Sequence, residues 1–306
     1  MNNEPQLQDL RVFCLVARKS GFAAAADALG ASPAYVSKRI QLLEGCLGVK
    51  LLHRSTRRVT VTEAGERVYR WAQTILNDLD HMVEEVSETR LAPRGLIRIS
   101  SSFGFGRVHV APALSILAER YPELEIRFDV SDRLVDLVGE GIDLDIRVGN
   151  GIAPQLIARR LASNRRILCA SPAYLERRGT PKHLDDLASH NCLVIKERDH
   201  PFGVWRLTGP DGSTSVRVTG PLAANHGEIV HQWALAGRGI MLRSLWDVHA
   251  AVNMGRLVHI LPGFSQPADV WAVYPARLTA SAKLKVCVEF LEQHFRNVAL
   301  ADPQAE

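Results

Sequence analysis

Four basic residues have the type and position needed to bind an anion. Arg133, Arg147, Lys196 and Arg243 each lie at or just past the end of an expected strand. Ligands of α/β folds bind outside the carboxyl ends of the strands, and arginine holds a carboxylate through two parallel hydrogen bonds. The four residues therefore predict a site for a small compound with one or two carboxylates. For each arginine taken singly, a surface or inter-lobe ion pair is the alternative.

Hydroxyl groups and a histidine accompany these charges. Three consecutive serines follow the first expected strand of this region at a helix start, where free backbone N–H groups favour an anion. Of the 11 histidines, His226 is the one we place near the same crevice. The predicted ligand-binding residues are Ser100, Ser101, Ser102, Phe103, Ser131, Arg133, Arg147, Lys196, His226 and Arg243.

Alternating strands and helices must position these residues. From residue 93 onward, the hydrophobic pattern predicts strands at 96–100, 124–130, 143–148, 166–170, 192–195, 216–219, 239–242 and 270–274. It predicts helices at 108–121, 134–139, 172–177, 228–236, 244–252 and 281–295. Repeated β-α-β units indicate a parallel α/β sheet, here divided between two lobes with the ligand crevice between them.

Composition indicates a soluble globular chain of about two domains. The chain has 306 residues, of which 46% are hydrophobic and 23% charged, and its apolar runs stop well short of the ~18 residues of a membrane span. The first five residues lack the basic and apolar regions of a signal peptide. We therefore expect a cytoplasmic protein without a membrane segment. Five scattered cysteines argue against a disulfide framework and a zinc site.

The small net charge of +4 hides an asymmetry along the chain. Residues 1–62 carry nine Lys and Arg against four Asp and Glu, whereas residues 63–92 carry three bases against seven acids. A compact basic head on a nearly neutral body favours nucleic-acid contact by the head. A solvated surface would give the same count, so the arrangement of residues inside the head has to decide.

The head has the pattern of a helix-turn-helix. Residues 10–17 follow the helical period and the helix ends at Ser20, while residues 22–29 form a second helix of small residues. Gly30 supplies the turn. Ser32 can cap the third helix, and Pro33 fits its first turn because the missing N–H has no partner there.

The third helix has a polar stripe opposite its buried stripe. Val36, Ile40 and Leu43 recur at the helical period and face the core. The opposite face of the helix is then in the position at which a recognition helix contacts the major groove. Residues 51–62 then indicate two short strands around a basic turn, suited to phosphate or minor-groove contact. The predicted DNA-binding residues are Ser32, Pro33, Ala34, Tyr35, Ser37, Lys38, Gln41, Arg54, Arg57 and Arg58.

Residues 7–65 resemble the winged helix-turn-helix of the LysR-type transcriptional regulators. The family most often places a glutamine where this chain has Pro33, so base preference differs there, and Tyr35 either contacts a base or packs. The matching landmarks are Phe13, Val16, Ala17, Ser20, Phe22, Ala25, Ala26, Leu29, Ser32, Ser37, Ile40, Leu43, Glu44, Leu47, Gly48, Leu51, Leu52, Arg54, Thr62, Glu63, Ala64 and Gly65.

The resemblance implies an α/β fold class with three parts. These are a winged helix-turn-helix at 1–62, a long linker and dimerisation helix at 63–92, and a two-lobed, periplasmic-binding-protein-like effector domain at 93–306. Lobe I would comprise 93–163 and 268–300, and lobe II 164–267. The implied partners are double-stranded promoter DNA, RNA polymerase, a small organic-acid effector, and further copies of the chain in a homodimer or homotetramer.

Within the family, the body is similar to the activators of tartrate and D-malate utilisation. This likeness implies a small hydroxy-dicarboxylate, such as tartrate or malate, as the effector. The segments that carry it are 102–107, 143–147, 196–199, 227–230, 239–244 and 285–291.

The linker helix carries an apolar seam. Its members repeat at alternating spacings of four and three residues, which is the a/d pattern of a coiled coil and favours pairing between subunits over a single helix packed on its own body. The seam residues are Val68, Ala72, Ile75, Leu79, Met82 and Val86.

Other functional classes find less support in the sequence. Residues 102–106 match neither a P-loop nor a nucleophile elbow, and the chain has no H-E-x-x-H. We predict no enzyme activity, no cofactor and no metal. The remaining alternative is a redox-sensing regulator that uses Cys169 and Cys192 as a thiol switch, in which oxidation and not an organic acid would change DNA binding.

Overall fold

The computed structural model of the protein describes residues 4–54, 59–86, 93–196, 202–279 and 281–297. They belong to two compact units, the head with its linker helix and the two-lobed body. None of the helices in these ranges is long and apolar enough to span a membrane.

The head contains the three predicted helices and the wing. Its turns use left-handed residues, with Ser20 at φ 52°, Gly30 at φ 61° and Gly48 at φ 67°. The Ser32 hydroxyl accepts a hydrogen bond from the Tyr35 amide at 3.2 Å and so caps the third helix. The elements are α1 (Leu7–Lys19), α2 (Phe22–Leu29), α3 (Pro33–Leu47), β1 (Leu52–Arg54), β2 (Val59–Val61) and α4 (Glu63–Val86).

The linker helix α4 divides its apolar seam between two roles. Ala72 is buried and Val68 half-buried in the hydrophobic core of their own head. Ile75 and Met82, farther along the helix, are 43% and 52% exposed. The prediction that the whole seam pairs between subunits is therefore corrected for Val68 and Ala72. These two residues pack in the hydrophobic core of their own head. Leu79 is half-buried, and the side chain of Val86 lies outside the described residues.

Lobe I is a five-stranded sheet covered by helices. Its strand order is β4-β3-β5-β15-β6, in which β3 pairs parallel with β4 and β5, and β15 pairs antiparallel with β5 and β6. A π-helical turn at Gly106–Val110 joins α5 to α6. The elements are β3 (Gly95–Ser101), α5 (Phe103–Phe105), α6 (Ala111–Arg120), β4 (Leu124–Val130), β5 (Leu144–Val148), β6 (Leu156–Ala162), β15 (Val270–Pro275) and α10 (Ala282–Asn297).

Lobe II is an eight-stranded mixed sheet. Its order is β10-β9-β14-β7-β12-β8-β11, with β13 also pairing β7, and only the pairs among β12, β8 and β11 are parallel. The elements are β7 (Arg165–Ala170), α7 (Pro172–Arg178), β8 (Cys192–Ile195), β9 (Val204–Gly209), β10 (Gly212–Arg217), β11 (Ala223–Ala224), α8 (Gly227–Leu235), β12 (Ile240–Ser244), α9 (Leu245–Asn253), β13 (Val258–His259) and β14 (Ser265–Pro267).

The sheets are therefore mixed, and the prediction of a parallel sheet was wrong for part of each lobe. The chain leaves lobe I at the end of β6 and returns through β15, so these two neighbours run in opposite directions. The predicted strand at 216–219 overlaps only the last two residues of β10 (Gly212–Arg217), the second strand of the hairpin β9–β10. In place of the predicted helix at 134–139, the chain is irregular at 134–136 and forms a turn over 137–141, where Gly141 is in the left-handed region at φ 66°.

Asn164 ties together the two segments that cross between the lobes. Its side-chain amide donates to the Ala268 carbonyl at 2.8 Å and to the Ser244 hydroxyl at 3.4 Å. Its backbone amide donates to the Asp269 carboxylate at 3.2 Å. The boundary between the lobes is thus held by buried polar contacts next to β12.

Candidate functional site

The third helix of the head presents the predicted polar face. Val36, Ile40 and Leu43 are fully buried in the head core. On the opposite side the short and polar side chains reach solvent, and Tyr35 is 39% exposed, so it does not pack in the core. Of the residues predicted to meet DNA on this helix, Ser37 is half-buried and the exposed ones are Ser32, Pro33, Ala34, Tyr35, Lys38 and Gln41.

A buried carboxylate connects the recognition helix to the wing. Glu44, at the end of the buried face of α3, accepts hydrogen bonds from the Leu51 amide at 3.0 Å and the Lys50 ammonium at 2.7 Å. Burial raises the pKa of Glu44, but these hydrogen bonds outweigh burial, so the pKa lies below its usual value. The wing residues Arg57 and Arg58, and the side chain of Arg54, lie outside the described residues.

An ion pair fixes the orientation of the recognition helix. Arg39 lies 2.5 Å from the Asp9 carboxylate and donates to the Gln6 amide oxygen at 3.0 Å. Asp9 is buried at the start of α1. Arg39 therefore holds α3 against α1, and Lys38 is left as the exposed cation on the polar face.

A cleft between the two lobes of the body has a volume of about 130 Å³. That is close to the ~150 Å³ of an engineered protein cavity that admits benzene, so the cleft suits a compound with few non-hydrogen atoms. Its lining is rich in cations, and among the described residues it includes one acidic side chain, Asp132. The basic lining residues are Arg147, Arg166, Lys196 and Arg243.

Arg147, at the end of β5, is bound by the protein itself. Its Nε and Nη2 lie 3.0 and 2.9 Å from one oxygen of the Asp145 carboxylate, and Nη1 donates to the Gly151 carbonyl at 3.1 Å. Only 3% of Arg147 is exposed. Asp145 also accepts the Ser100 hydroxyl at 2.8 Å. The guanidinium therefore lines the cleft with its charge balanced and every nitrogen occupied.

Arg243, at the end of β12, is held differently. Its Nε donates to the Asp247 carboxylate, and its guanidinium carbon lies 5.7 Å from the ring centroid of Trp246. Gly104 and Gly227 lie against the guanidinium from two helix starts. Within the described part of the chain, Nη1 and Nη2 have no acceptor at hydrogen-bond distance, so both remain able to bind a carboxylate.

Four of the ten predicted ligand-binding residues line the cleft, namely Ser102, Arg147, Lys196 and Arg243. The prediction is corrected for Ser100 and Ser101, because β3 extends through both of them and buries them in the sheet. Ser101 donates its hydroxyl to the Ile146 carbonyl at 2.8 Å. These two serines hold β3 to β5 and are not part of the cleft lining.

The other four predicted residues lie outside the cleft lining. Phe103 and His226 pack against each other with ring centroids 4.7 Å apart. Ser131 accepts the Arg133 amide at 3.3 Å, and Arg133 directs Nη1 to the neighbouring Leu134 carbonyl at 3.5 Å. Local turn contacts after β4 thus engage Ser131 and Arg133, while Asp132 and Leu134 of the same turn line the cleft.

The cleft also contains residues that sequence reasoning missed. Arg166 lies at the second position of β7 and donates to the Gln266 amide oxygen at 2.6 Å, so its strand position gave no sign of a cleft role. Asn150 and Asn225 line the cleft from loops. The indole Nε1 of Trp246 is buried and has no hydrogen-bond partner among the described residues. In the sequence, a large aromatic residue two positions after Ser244 could have indicated that Trp246 belongs to the ligand site.

The cysteines of the predicted thiol switch are buried. Burial raises the pKa of Cys169 to about 12 and that of Cys192 to about 12. They lie on β7 and β8, which β12 separates in the sheet. Oxidation requires an accessible thiolate. The structure therefore gives the redox alternative no support.

A winged helix-turn-helix joined to a two-lobed domain with a cationic cleft defines a DNA-binding regulator that senses a small molecule. Residues 7–66 match the family described as bacterial regulatory helix-turn-helix protein, lysR family, and residues 91–296 match the LysR substrate binding domain. The chain belongs to the LysR-type transcriptional regulators, as its sequence predicted, and is not an enzyme.

Similar proteins agree with this assignment. The HTH-type transcriptional regulator DmlR of Escherichia coli K12 is 64% identical over 295 residues, 96% of this chain and 96% of that protein. The activator TtdR of the same strain is 48% identical, over 95% of this chain and 94% of that protein. These relatives confirm the predicted likeness within the family.

Two solved structures share the fold. The Vibrio cholerae virulence activator AphB aligns with a TM-score of 0.57 and 30% identity, over 94% of this chain and 98% of that one. CrgA of Neisseria meningitidis aligns with a TM-score of 0.58 and 28% identity, over 95% of this chain and 99% of that one. The family and these neighbours imply DNA binding, effector binding and oligomerisation for this chain.

Proposed function

We propose that this regulator binds a small hydroxy-dicarboxylate, such as D-malate or tartrate, in the cleft between the lobes of its body. The observation that carries this proposal is Arg243, whose two terminal nitrogens face a cation-rich cleft without an acceptor among the described residues. A bidentate hydrogen-bonded pair with a carboxylate is the natural use of such a group.

A second carboxylate and a hydroxyl find further partners in the same cleft. Arg166 and Lys196 supply positive charge, and Ser102 and Asn150 supply hydrogen bonds. The likeness to the activators of tartrate and D-malate utilisation points to the same class of compound. A monocarboxylate would leave part of this charge unused, so we expect it to bind more weakly.

The effector site is tested by thermal-shift measurement and calorimetry on the full chain. We expect D-malate or tartrate to raise the melting temperature and acetate to have little effect. Arg243→Gln removes the bidentate donor and should abolish the shift. The matched control is Arg133→Gln, an exposed arginine outside the cleft, which should retain it. A shift that persists unchanged in Arg243→Gln contradicts the proposed site.

The proposed DNA contacts are those of the third helix and the wing. Ser32, Ala34, Ser37, Lys38 and Gln41 face the major groove, with Pro33 and Tyr35 at the helix start and Arg54, Arg57 and Arg58 on the phosphates. We expect Gln41→Ala to alter sequence preference, and Lys38→Ala to weaken binding to all sequences and reduce its salt dependence. Mobility-shift titration across a salt series distinguishes the two effects. Equal binding by both variants and the parent chain on every sequence contradicts the assignment.

The proposed assembly is a homodimer through α4, with a homotetramer formed from two such dimers. Trp71, Ile75 and Met82 are large apolar side chains exposed on this helix, and burial between two copies would remove them from water. Two heads on one dimer would meet the two half-sites of promoter DNA in the cytoplasm. The effector acts through its differential affinity for two lobe arrangements, which changes promoter contact and recruitment of RNA polymerase.

A further inference from the structure

We infer that Asp247 and His231, neither of which lines the cleft, are positioning residues that hold Arg243 ready for the effector carboxylate. The inference rests on the proposed function, and it names the residues that set the geometry of its central arginine.

The three side chains form a continuous buried chain of contacts. One carboxylate oxygen of Asp247, Oδ2, accepts from Arg243 Nε and lies 3.2 Å from His231 Nδ1. The side chains are 12%, 13% and 14% exposed for Arg243, Asp247 and His231, respectively. Each belongs to a different element of lobe II, namely β12, α9 and α8. The contacts therefore fix the arginine relative to two helices at once.

The position of Asp247 decides which nitrogens face the cleft. Nε is directed to Asp247, while Nη1 and Nη2 lie next to the two cleft glycines. A Cβ built on Gly227 would lie 1.9 Å from Nη1, and one built on Gly104 would lie 3.5 Å from Nη2. Both glycines line the cleft. The two free nitrogens therefore lie at the cleft surface, in the fork arrangement that a carboxylate requires.

Charge and tautomer agree with this role. Burial raises the pKa of Asp247, but the hydrogen bond from His231 and the charge of Arg243 outweigh burial, so the pKa lies below its usual value. His231 Nε2 is buried with no hydrogen-bond partner among the described residues. The tautomer with its proton on Nδ1 therefore fits best, because it donates to Asp247 and leaves no unmatched N–H.

The carboxylate of Glu228, at the start of the neighbouring helix α8, is engaged elsewhere. Glu228, at the start of α8, pairs with Arg107 of lobe I through Nε at 3.1 Å and through Nη2. Glu228 is thus occupied by Arg107, and within the described residues Asp247 is the carboxylate that accepts a hydrogen bond from Arg243. Without Asp247, the flexible guanidinium could turn in the cleft, and ordering it would oppose ligand binding.

A double-mutant cycle on the full chain tests the inference, with D-malate and tartrate as the calorimetric probes. Asp247→Asn keeps the size of the side chain but removes its charge. Its amide oxygen can still accept from Arg243 Nε, but without the charge that roughly doubles the strength of such a bond, so we expect binding to weaken about fivefold to tenfold. In an Arg243→Gln background, the same change should add little, because Asp247 acts through Arg243. Losses that add independently overturn the inference.

A second pair of variants covers the case in which Asp247→Asn fails to fold. His231→Asn places an amide nitrogen where Nδ1 lies and should retain binding, whereas His231→Phe keeps the ring but loses the donor and should weaken it. Equal affinities for the two variants overturn the role of His231. If Arg243→Gln alone leaves probe affinity unchanged, the proposed effector site fails. If Arg243→Gln loses binding but Asp247→Asn does not, only the positioning role fails.

Discussion

Arg147 and Arg243 line the same cleft from opposite lobes, and each contacts an aspartate, but the protein occupies their nitrogens to different extents. Arg147 gives Nε and Nη2 to Asp145 and Nη1 to the Gly151 carbonyl. Arg243 gives only Nε to Asp247 among the described residues. Each guanidinium nitrogen of Arg147 thus already has a protein partner, whereas the two terminal nitrogens of Arg243 have none among the described residues.

Local geometry explains the difference. Asp145 and Arg147 lie two positions apart on β5, so their side chains leave the same face of the strand and meet side by side. Asp247 lies four positions after Arg243, across the boundary between β12 and α9. It therefore approaches the arginine from the Nε side and leaves the far end open. The first arrangement stabilises lobe I, and the second presents a cation to the cleft.

Removal of the structural arginine should have the largest effect. Arg147→Ala leaves Asp145 as a buried carboxylate without its cation, which costs about 3–5 kcal/mol of unfolding free energy. Urea denaturation monitored by circular dichroism measures this loss. Arg133→Ala, at an exposed arginine, is the control and should change stability by less than about 0.5 kcal/mol. A folded Arg147→Ala protein with unchanged stability that has lost only effector affinity would reverse the roles of the two arginines.

A side chain that displaces the terminal nitrogens of Arg243 should have the next largest effect. We expect the change in effector affinity and not in the free energy of unfolding. The Cβ of Gly227→Ala would lie 1.9 Å from Nη1, so the guanidinium must move. We expect calorimetric affinity for D-malate or tartrate to fall about tenfold or more, the equivalent of about 1.4 kcal/mol. Gly263→Ala, where the nearest atom is 4.0 Å away, is the matched control. Full affinity in Gly227→Ala would show that Arg243 does not contact the effector.

Ser101 and Ser102 allow the same comparison between a structural residue and a cleft residue, with smaller expected effects. Ser102→Ala removes a hydroxyl that lines the cleft, so effector affinity should fall by about 1 kcal/mol with little change in stability. Ser101→Ala removes the buried bond to the Ile146 carbonyl, so stability should fall by about 1 kcal/mol with affinity retained. Calorimetry and thermal melting on both variants give the two readouts, and identical profiles would contradict the distinction between them.

The cysteines should show the smallest effect. Because burial raises the pKa of Cys169 to about 12 and of Cys192 to about 12, both thiols are neutral in the folded state at pH 8. Their buried neutral form contributes fully to stability below the ordinary thiol pKa of 9.0, and this contribution declines as the pH rises from there toward 12. Cys169→Ala and Cys192→Ala should leave operator binding within about twofold of the parent with and without peroxide. Mobility-shift assays measure operator binding. A response to peroxide that the parent chain shows and either variant loses would support the redox-sensing alternative.

The sequence determined the elements that depend on local pattern. The period of Val36, Ile40 and Leu43 specified the recognition helix, Ser32 and Pro33 specified its start, and the strand at Leu124–Val130 was predicted to the residue. In these segments propensity, capping and alternation act between near neighbours, so the information is contained in a few consecutive residues. Arg147 and Arg243 could likewise be placed at strand ends.

Only the tertiary structure decided what those side chains do. The Asp145 that neutralises Arg147, and the separation of Ser101 from Ser102 at the end of β3, depend on strand extents and on pairing between β3 and β5. The cleft role of Arg166 depends on which loops of lobe I meet lobe II, and the fate of Val68 and Ala72 on how α4 meets the head. These contacts join residues far apart in sequence, where neither period nor spacing carries information, and they determine which charges are already paired before a ligand arrives.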